Sequence, residues 1–284
     1  MKLYIWRTLC ALMVAAATLA ATLAATLAAG TASAEDRFIT VASTTSTQNS
    51  GLYEYLLPKF KADTGIDVHV IAVGTGQAIK LAKKGDADVL LVHHKPSELK
   101  FVKEGYGVKR FDLMYNDFVI LGPKDDPAGI KGGKEAIKAL KAIADKKLPF
   151  VSRGDDSGTN KKELELWKAA GFDAKSFDSS WYRETGSGMG ATLNVASSMN
   201  GYTLSDRSTW LNFGNKGDLQ ILVQGDEHLF NQYGVILVNP ERFPHVKKKM
   251  GQTFIDWLLS DKGQKIIAGY RIKGEQAFFP NAKR

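Results

Sequence analysis

The chain has 284 residues, with 38 Lys and Arg against 30 Asp and Glu, 44% hydrophobic residues and a single cysteine, Cys10. One cysteine excludes a disulfide framework and a thiolate metal site. The dispersed positive charge, with no basic stripe interleaved with aromatics, argues against nucleic acid as a partner.

Residues 1–34 read as a processing segment. Lys2 and Arg7 precede an Ala/Leu/Thr run, and Ala32-Ser33-Ala34 supplies small residues for cleavage before Glu35. The expectation is an exported, periplasmic protein; a retained N-terminal anchor is the weaker alternative, since the run is long enough to span a membrane. Removing this segment leaves 36 basic against 30 acidic residues and no cysteine. About 250 residues exceed one ordinary core and favour two lobes of ~125 each.

Phe38 to Ser43 (FITVAS) predicts a buried strand. STTSTQNSG follows from Ser43 to Gly51, and then a helix over Leu52 to Phe60 that Pro58 should kink. Asp67 to Val73 predicts a strand, Gly74-Thr75-Gly76 a turn, Gln77 to Lys84 a helix and Asp88 to Val92 a continuous apolar strand. Such alternation predicts a parallel sheet covered on both faces, with ligands beyond the carboxyl ends of its strands. Arg110 to Leu121 is a long strand-like run able to cross out of the first lobe. A turn-rich loop over residues 122–133 comes next, and then an amphipathic helix within 132–146.

The second lobe contains SRGDDSGTN (Ser152 to Asn160) ahead of a helix to Gly171. It also holds a glycine-rich turn at Gly186 to Gly190, again entering a helix, and a strand Tyr202 to Asp206 ending at an N-cap, Ser205 or Asp206. Tyr233 to Val238 predicts the returning strand, and helices occupy Val246 to Leu259 and Asp261 to Tyr270. Two crossings make two lobes, expected at 35–115 with 234–284 and at 116–233. The ligand cleft lies between them.

The sequence repeats one pattern four times: strand, small polar turn, helix. It does so at Ser43 to Thr47, Gly74 to Gly76, Ser152 to Thr159 and Gly186 to Gly190. Helix starts carry unpaired N–H groups, so four of them drawn from both lobes suit reversible capture of a dianion. Arg153 adds a planar guanidinium able to grip two oxygens, against the alternative of an ion pair with Asp155 or Asp156. Of His93 and His94, adjacent on an extended chain, at most one faces the ligand; a structural histidine is the competing reading. The serines lack a Gly-x-Ser-x-Gly elbow, and neither GSGMG nor GTG completes a nucleotide loop.

The stretches STTSTQNSGL, VGTGQA, GDADVLLVHH, PFVSRGDDSGTNKKE, WYRETGSGMGATL, YTLSDRSTW and YGVILVNP span nearly the whole chain after residue 34. In that order they resemble the extracytoplasmic solute-binding proteins of ABC importers for oxyanions, the tungstate-binding branch above all. The resemblance implies an α/β, two-lobed periplasmic binding protein fold (type II) with two crossover strands. It implies capture of tungstate, or its near-isostere molybdate, with no cofactor, and delivery by a monomer to ABC permease subunits. Thr44, Thr45 and Ser46 on one lobe and Arg153, Ser157, Gly158 and Thr159 on the other would hold the anion, with Thr75 and Thr192 as further candidates. Phosphate-binding relatives share the Arg and Ser-Gly-Thr spacing but place near His93 an aspartate that accepts the proton of hydrogen phosphate. A histidine there tilts the expectation away from phosphate. The competing readings are a phosphate- or sulfate-type binding protein, an exported ester hydrolase, and the ligand-sensing domain of a regulator, which conflicts with the export signal.

Overall fold

The structure, a computed structural model, describes residues 37–283; the expected signal segment lies outside them. β1 (Phe38–Thr44) pairs in parallel with β2 (Asp67–Val73) and with β3 (Val89–Val92). Between them run α1 (Thr45–Asn49), α2 (Leu52–Thr64) and α3 (Thr75–Lys84). α2 continues through Pro58 and stops where Gly65 turns left-handed at φ 68°. The turn expected at Gly74 to Gly76 shrinks to one residue, because Thr75 and Gly76 already belong to α3.

After α4 (Lys95–Lys103) comes the 17-residue β4 (Gly107–Pro123). Its first part pairs with β9 (Phe230–Val238) as far as Asp117, and from Phe118 onward it pairs with β7 (Thr203–Asp206) and β8 (Leu219–Val223). Every one of these pairings is antiparallel, as is that of β9 with β3. The parallel pairing expected of the first three strands holds, and the sheet as a whole is mixed for a topological reason. A strand that brings the chain back across a boundary runs opposite to the one that took it out, so β9 reverses direction where it enters between β3 and β4.

Beyond β4 lie α5 (Ala136–Asp145), β5 (Phe150–Ser152), α6 (Gly158–Ala169), β6 (Tyr182–Glu184), α7 (Met189–Met199) and α8 (Arg207–Asn212). β5 and β6 pair in parallel. The C-terminal segment forms α9 (Lys248–Leu259) and α10 (Asp261–Gly269), and the short strand Phe279–Pro280 finishes against β4.

Two sets of buried apolar side chains match the two-lobed fold. One gathers Ile39, Leu56, Phe60, Leu91, Tyr233, Phe254 and Phe278; the other gathers Phe118, Leu140, Phe150, Trp167, Tyr182 and Tyr202. Within the second set Glu163 is fully enclosed, and its Oε1 accepts from Trp167 Nε1 at 3.2 Å and from the Tyr182 hydroxyl at 2.7 Å. Burial outweighs these donors and pushes the Glu163 carboxyl from 4.5 up to about 7. A carboxyl that binds its proton more tightly folded than unfolded makes stability fall as pH rises from about 4.5 to about 7, and stability stays lower above that. Glu163→Gln keeps an acceptor and removes the titration. The variant is expected to gain up to roughly 3 kcal/mol on the wild type between about pH 5 and pH 8, read by urea unfolding at both values.

Candidate functional site

The polar turns at the ends of β1, β2 and β3 meet the turn between β5 and α6. Thr44 closes β1 and caps α1, its Oγ1 accepting from Thr47 N at 3.2 Å and lying 2.8 Å from Thr47 Oγ1. That cap leaves Thr45 and Ser46 directed outward from α1. Arg153 reaches both from the second lobe: Nη1 donates to Ser46 Oγ at 3.1 Å and Nη2 to Thr45 Oγ1 at 3.4 Å. Because each hydroxyl accepts from the guanidinium, each keeps its own proton for another acceptor.

Arg153 is only 1% exposed, and Nη2 also donates to Asp155 Oδ2 at 2.6 Å. The ion pair weighed as an alternative thus exists, buried on its Arg153 side and half-buried at Asp155, and the guanidinium additionally bridges the lobes. Asp155 Oδ1 accepts from Ser157 N at 3.2 Å, and Ser157 Oγ caps α6 by accepting from Asn160 N at 3.1 Å. Gly76 N donates to Asp156 O at 3.2 Å, a further bond between the lobes. Gly158 packs so closely that a Cβ there would lie 2.8 Å from His93 Cε1 and 3.0 Å from Thr75 Oγ1. One spot therefore joins α3, the end of β3 and the start of α6.

Among the described residues, five buried side-chain polar atoms lack a hydrogen-bond partner. Four of them belong to this region: Thr75 Oγ1, His93 Nε2, Arg153 Nε and Thr159 Oγ1. Buried polar groups are almost always satisfied, so a cluster of orphans marks where an absent polar group belongs. Thr192 does not join them. Its hydroxyl is 2.9 Å from Thr185 Oγ1 and turns back on the start of α7, toward Ser187 O and Gly188 O. Its hydroxyl is thus spent on local carbonyls, whereas Thr44 spends its oxygen on capping α1.

His93 and His94 separate as adjacent residues of an extended segment should. His94 bonds Ser97 and Glu165 near the surface, whereas His93 is buried and stacks on Tyr233 at 4.8 Å. Behind it lies a polar network that sequence reasoning missed. Asn116 Nδ2, Asn231 Nδ2 and the Tyr233 hydroxyl donate to Asp206 Oδ2 at 2.8, 3.0 and 2.9 Å, while Thr209 N donates to Asp206 Oδ1 at 3.0 Å. Asn231 Nδ2 also donates to Asn116 Oδ1 at 2.7 Å, so its Oδ1 faces His93 Nδ1 at 3.0 Å and must accept from it. The signal for this network was present: a lone Asn interrupts each long strand, in MYNDF and FNQYG.

Residues 29–262 match the PBP superfamily domain. The chain is 46% identical over 250 residues to the tungstate-binding protein TupA of Peptoclostridium acidaminophilum, covering 87% of this chain and 86% of that one. It belongs to the tungstate-binding proteins of the PBP superfamily. Its family fold is shared with the solved tungstate-binding protein TupA from Desulfovibrio alaskensis G20, at TM-score 0.75 and 46% identity, covering 87% of this chain and 99% of that one. The tungstate ABC transporter structure from Geobacter sulfurreducens gives the same TM-score at 51% identity, covering 82% and 98%. In this family member the motif stretches that carried the resemblance, Ser43 to Leu52 and Pro149 to Glu163, are those that meet between the lobes.

Proposed function

We propose that this chain is the tungstate-capturing component of an ABC importer. It would be exported through its N-terminal segment, act as a periplasmic monomer and hand the anion to membrane permease subunits. One observation carries the reading: three buried donors without a partner, Thr75 Oγ1, Arg153 Nε and Thr159 Oγ1, lie where two lobes meet. A tetrahedral dianion supplies acceptor oxygens to the Thr75 and Thr159 hydroxyls and to Arg153 Nε, and the spare protons of Thr45, Ser46 and Ser157 point to the same use. Gly158 contributes an N–H group of the helix start, and its missing side chain makes room for His93 and Thr75. The lobes are taken as 35–115 with 234–284 and as 116–233. The names of the relatives favour tungstate among tetrahedral anions, and molybdate, of similar size and charge, should compete.

Neither catalysis nor a cofactor is part of this reading. Among the described residues His93 bonds through its side chain to Asn231 and not to a serine or threonine, so no hydroxyl is paired with it as a nucleophile. Calorimetry on anion-free protein is expected to show one site that takes tungstate and molybdate, and to show sulfate and phosphate at least about tenfold weaker. Tight phosphate binding with no tungstate heat would overturn the proposal.

A further inference from the structure

We infer that His93 is a further anion-contacting residue of this site, one that takes up a proton at Nε2 when a doubly charged oxyanion is captured. The inference rests on the proposed function and adds a group that it does not use. Three observations carry it. The imidazole is buried against Gly158 and Thr75, and Nε2 has no partner. Nδ1 must be the protonated nitrogen of the neutral ring, because Asn231 is locked by Asp206 and Asn116 with its oxygen toward His93. That leaves a bare, buried lone pair on Nε2, on a ring packed at the same spot as Thr75 Oγ1, a hydroxyl that is likewise without a partner. The fixed charge there is also nearly balanced, since the Arg153 cation is bonded to Asp155.

A dianion entering a site of almost no net formal charge, beside an unprotonated acceptor, is repelled by that acceptor. A proton on Nε2 turns the repulsion into a charge-assisted hydrogen bond. Every charged group near the ring fits this exchange. Burial first, then the charges of Arg153 and His94, hold the free imidazole down to about 4, against the opposing pull of Asp206 and the bond to Asn231. The dianion adds a far stronger pull in the raising direction. Asp206, reached through Asn231, stabilises the resulting imidazolium from the other side, and the rings of Tyr233 and Phe118 bring no charge to it. The bond balance is simple: one solvent proton moves to Nε2, and none leaves the anion.

Because the histidine is more basic with the anion bound than without it, affinity is greatest at low pH and is lost as pH rises through the bound-state value. Tungstate calorimetry at pH 6, 7 and 8, each in two buffers of different ionisation enthalpy, is expected to show uptake approaching one proton. Affinity should rise on acidification by at most about tenfold per pH unit. His93→Gln cannot titrate, and should bind more weakly, with no proton uptake and a flat pH profile. Nitrogen NMR of the wild type should show Nε2 gaining a proton on tungstate addition, a readout that requires no variant to fold. Tungstate heat without proton uptake overturns the inference and leaves the binding function standing, as does uptake that persists in His93→Gln. Absence of any tungstate heat overturns both.

Discussion

Arg153→Ala is expected to weaken tungstate binding by ~100-fold, about 2.7 kcal/mol, and to lower the melting temperature of the anion-free protein as well. Truncating one partner of a buried, hydrogen-bonded charge pair costs about 2 to 5 kcal/mol, much of it from the charge left behind. Here the abandoned charge is Asp155, whose side chain is 14% exposed and which would face the incoming anion without its cation. The loss also removes the donors to Thr45 and Ser46, so the lobes lose one of their direct connections. Arg153→Lys separates charge from shape. It restores the cation without the planar fork, and should recover only part of the affinity. Calorimetry on the three proteins checks both statements, and an unchanged affinity for the alanine variant would remove Arg153 from the site.

The second large effect concerns stability. Asp206→Ala is expected to destabilise the protein by roughly 3 to 5 kcal/mol, because it strands several buried donors at once. Asn116, Asn231, Tyr233, Ser208 and the Thr209 backbone all bond its carboxyl group, which is fully enclosed. These donors come from both long strands and from α8, so the network ties the junction together as well as orienting His93. Urea unfolding with and without tungstate provides the test. A loss below about 1 kcal/mol would mean that water or a neighbour takes over the carboxyl's role.

Much of this arrangement was legible from residues alone. β2 runs over the predicted Asp67 to Val73, and both long strands and the helix after SRGDDSGTN lie where apolar runs and punctuation placed them. Three things were not. Sheet direction depends on how the chain returns, which a local pattern does not contain, so β9 was foreseen as the returning strand but not its antiparallel place between β3 and β4. β8 and α8 are too short, at five and six residues, to show a period against their surroundings. Thr75 and Thr192 stand in the same sequence grammar, yet one hydroxyl is left without a partner and the other turns onto its own helix start. That difference follows from position, since Thr75 is the first residue of α3 whereas Thr192 is the fourth of α7 and reaches the carbonyl one turn back. Asp206 was visible only as a helix cap, which it is, since Thr209 N donates to it; its second role needed the two distant asparagines to be brought beside it.

β4 runs without a break from one set of partners to the other, and at Asp117 and Phe118 its pairing passes from β9 to β7. The joint is thus made of paired backbone rather than slack linker, and each angle between the lobes carries its own elastic energy. Apparent affinity equals the intrinsic affinity of the closed form scaled by the fraction of molecules already closed. A substitution at the joint, well away from any oxygen of the anion, therefore tunes capture by changing that fraction. It moves the affinities for tungstate and molybdate by the same factor and leaves their ratio alone. Selectivity is consequently set at the contacts to the anion, whereas strength of capture is set both there and at the joint, so the joint can change strength without changing selectivity.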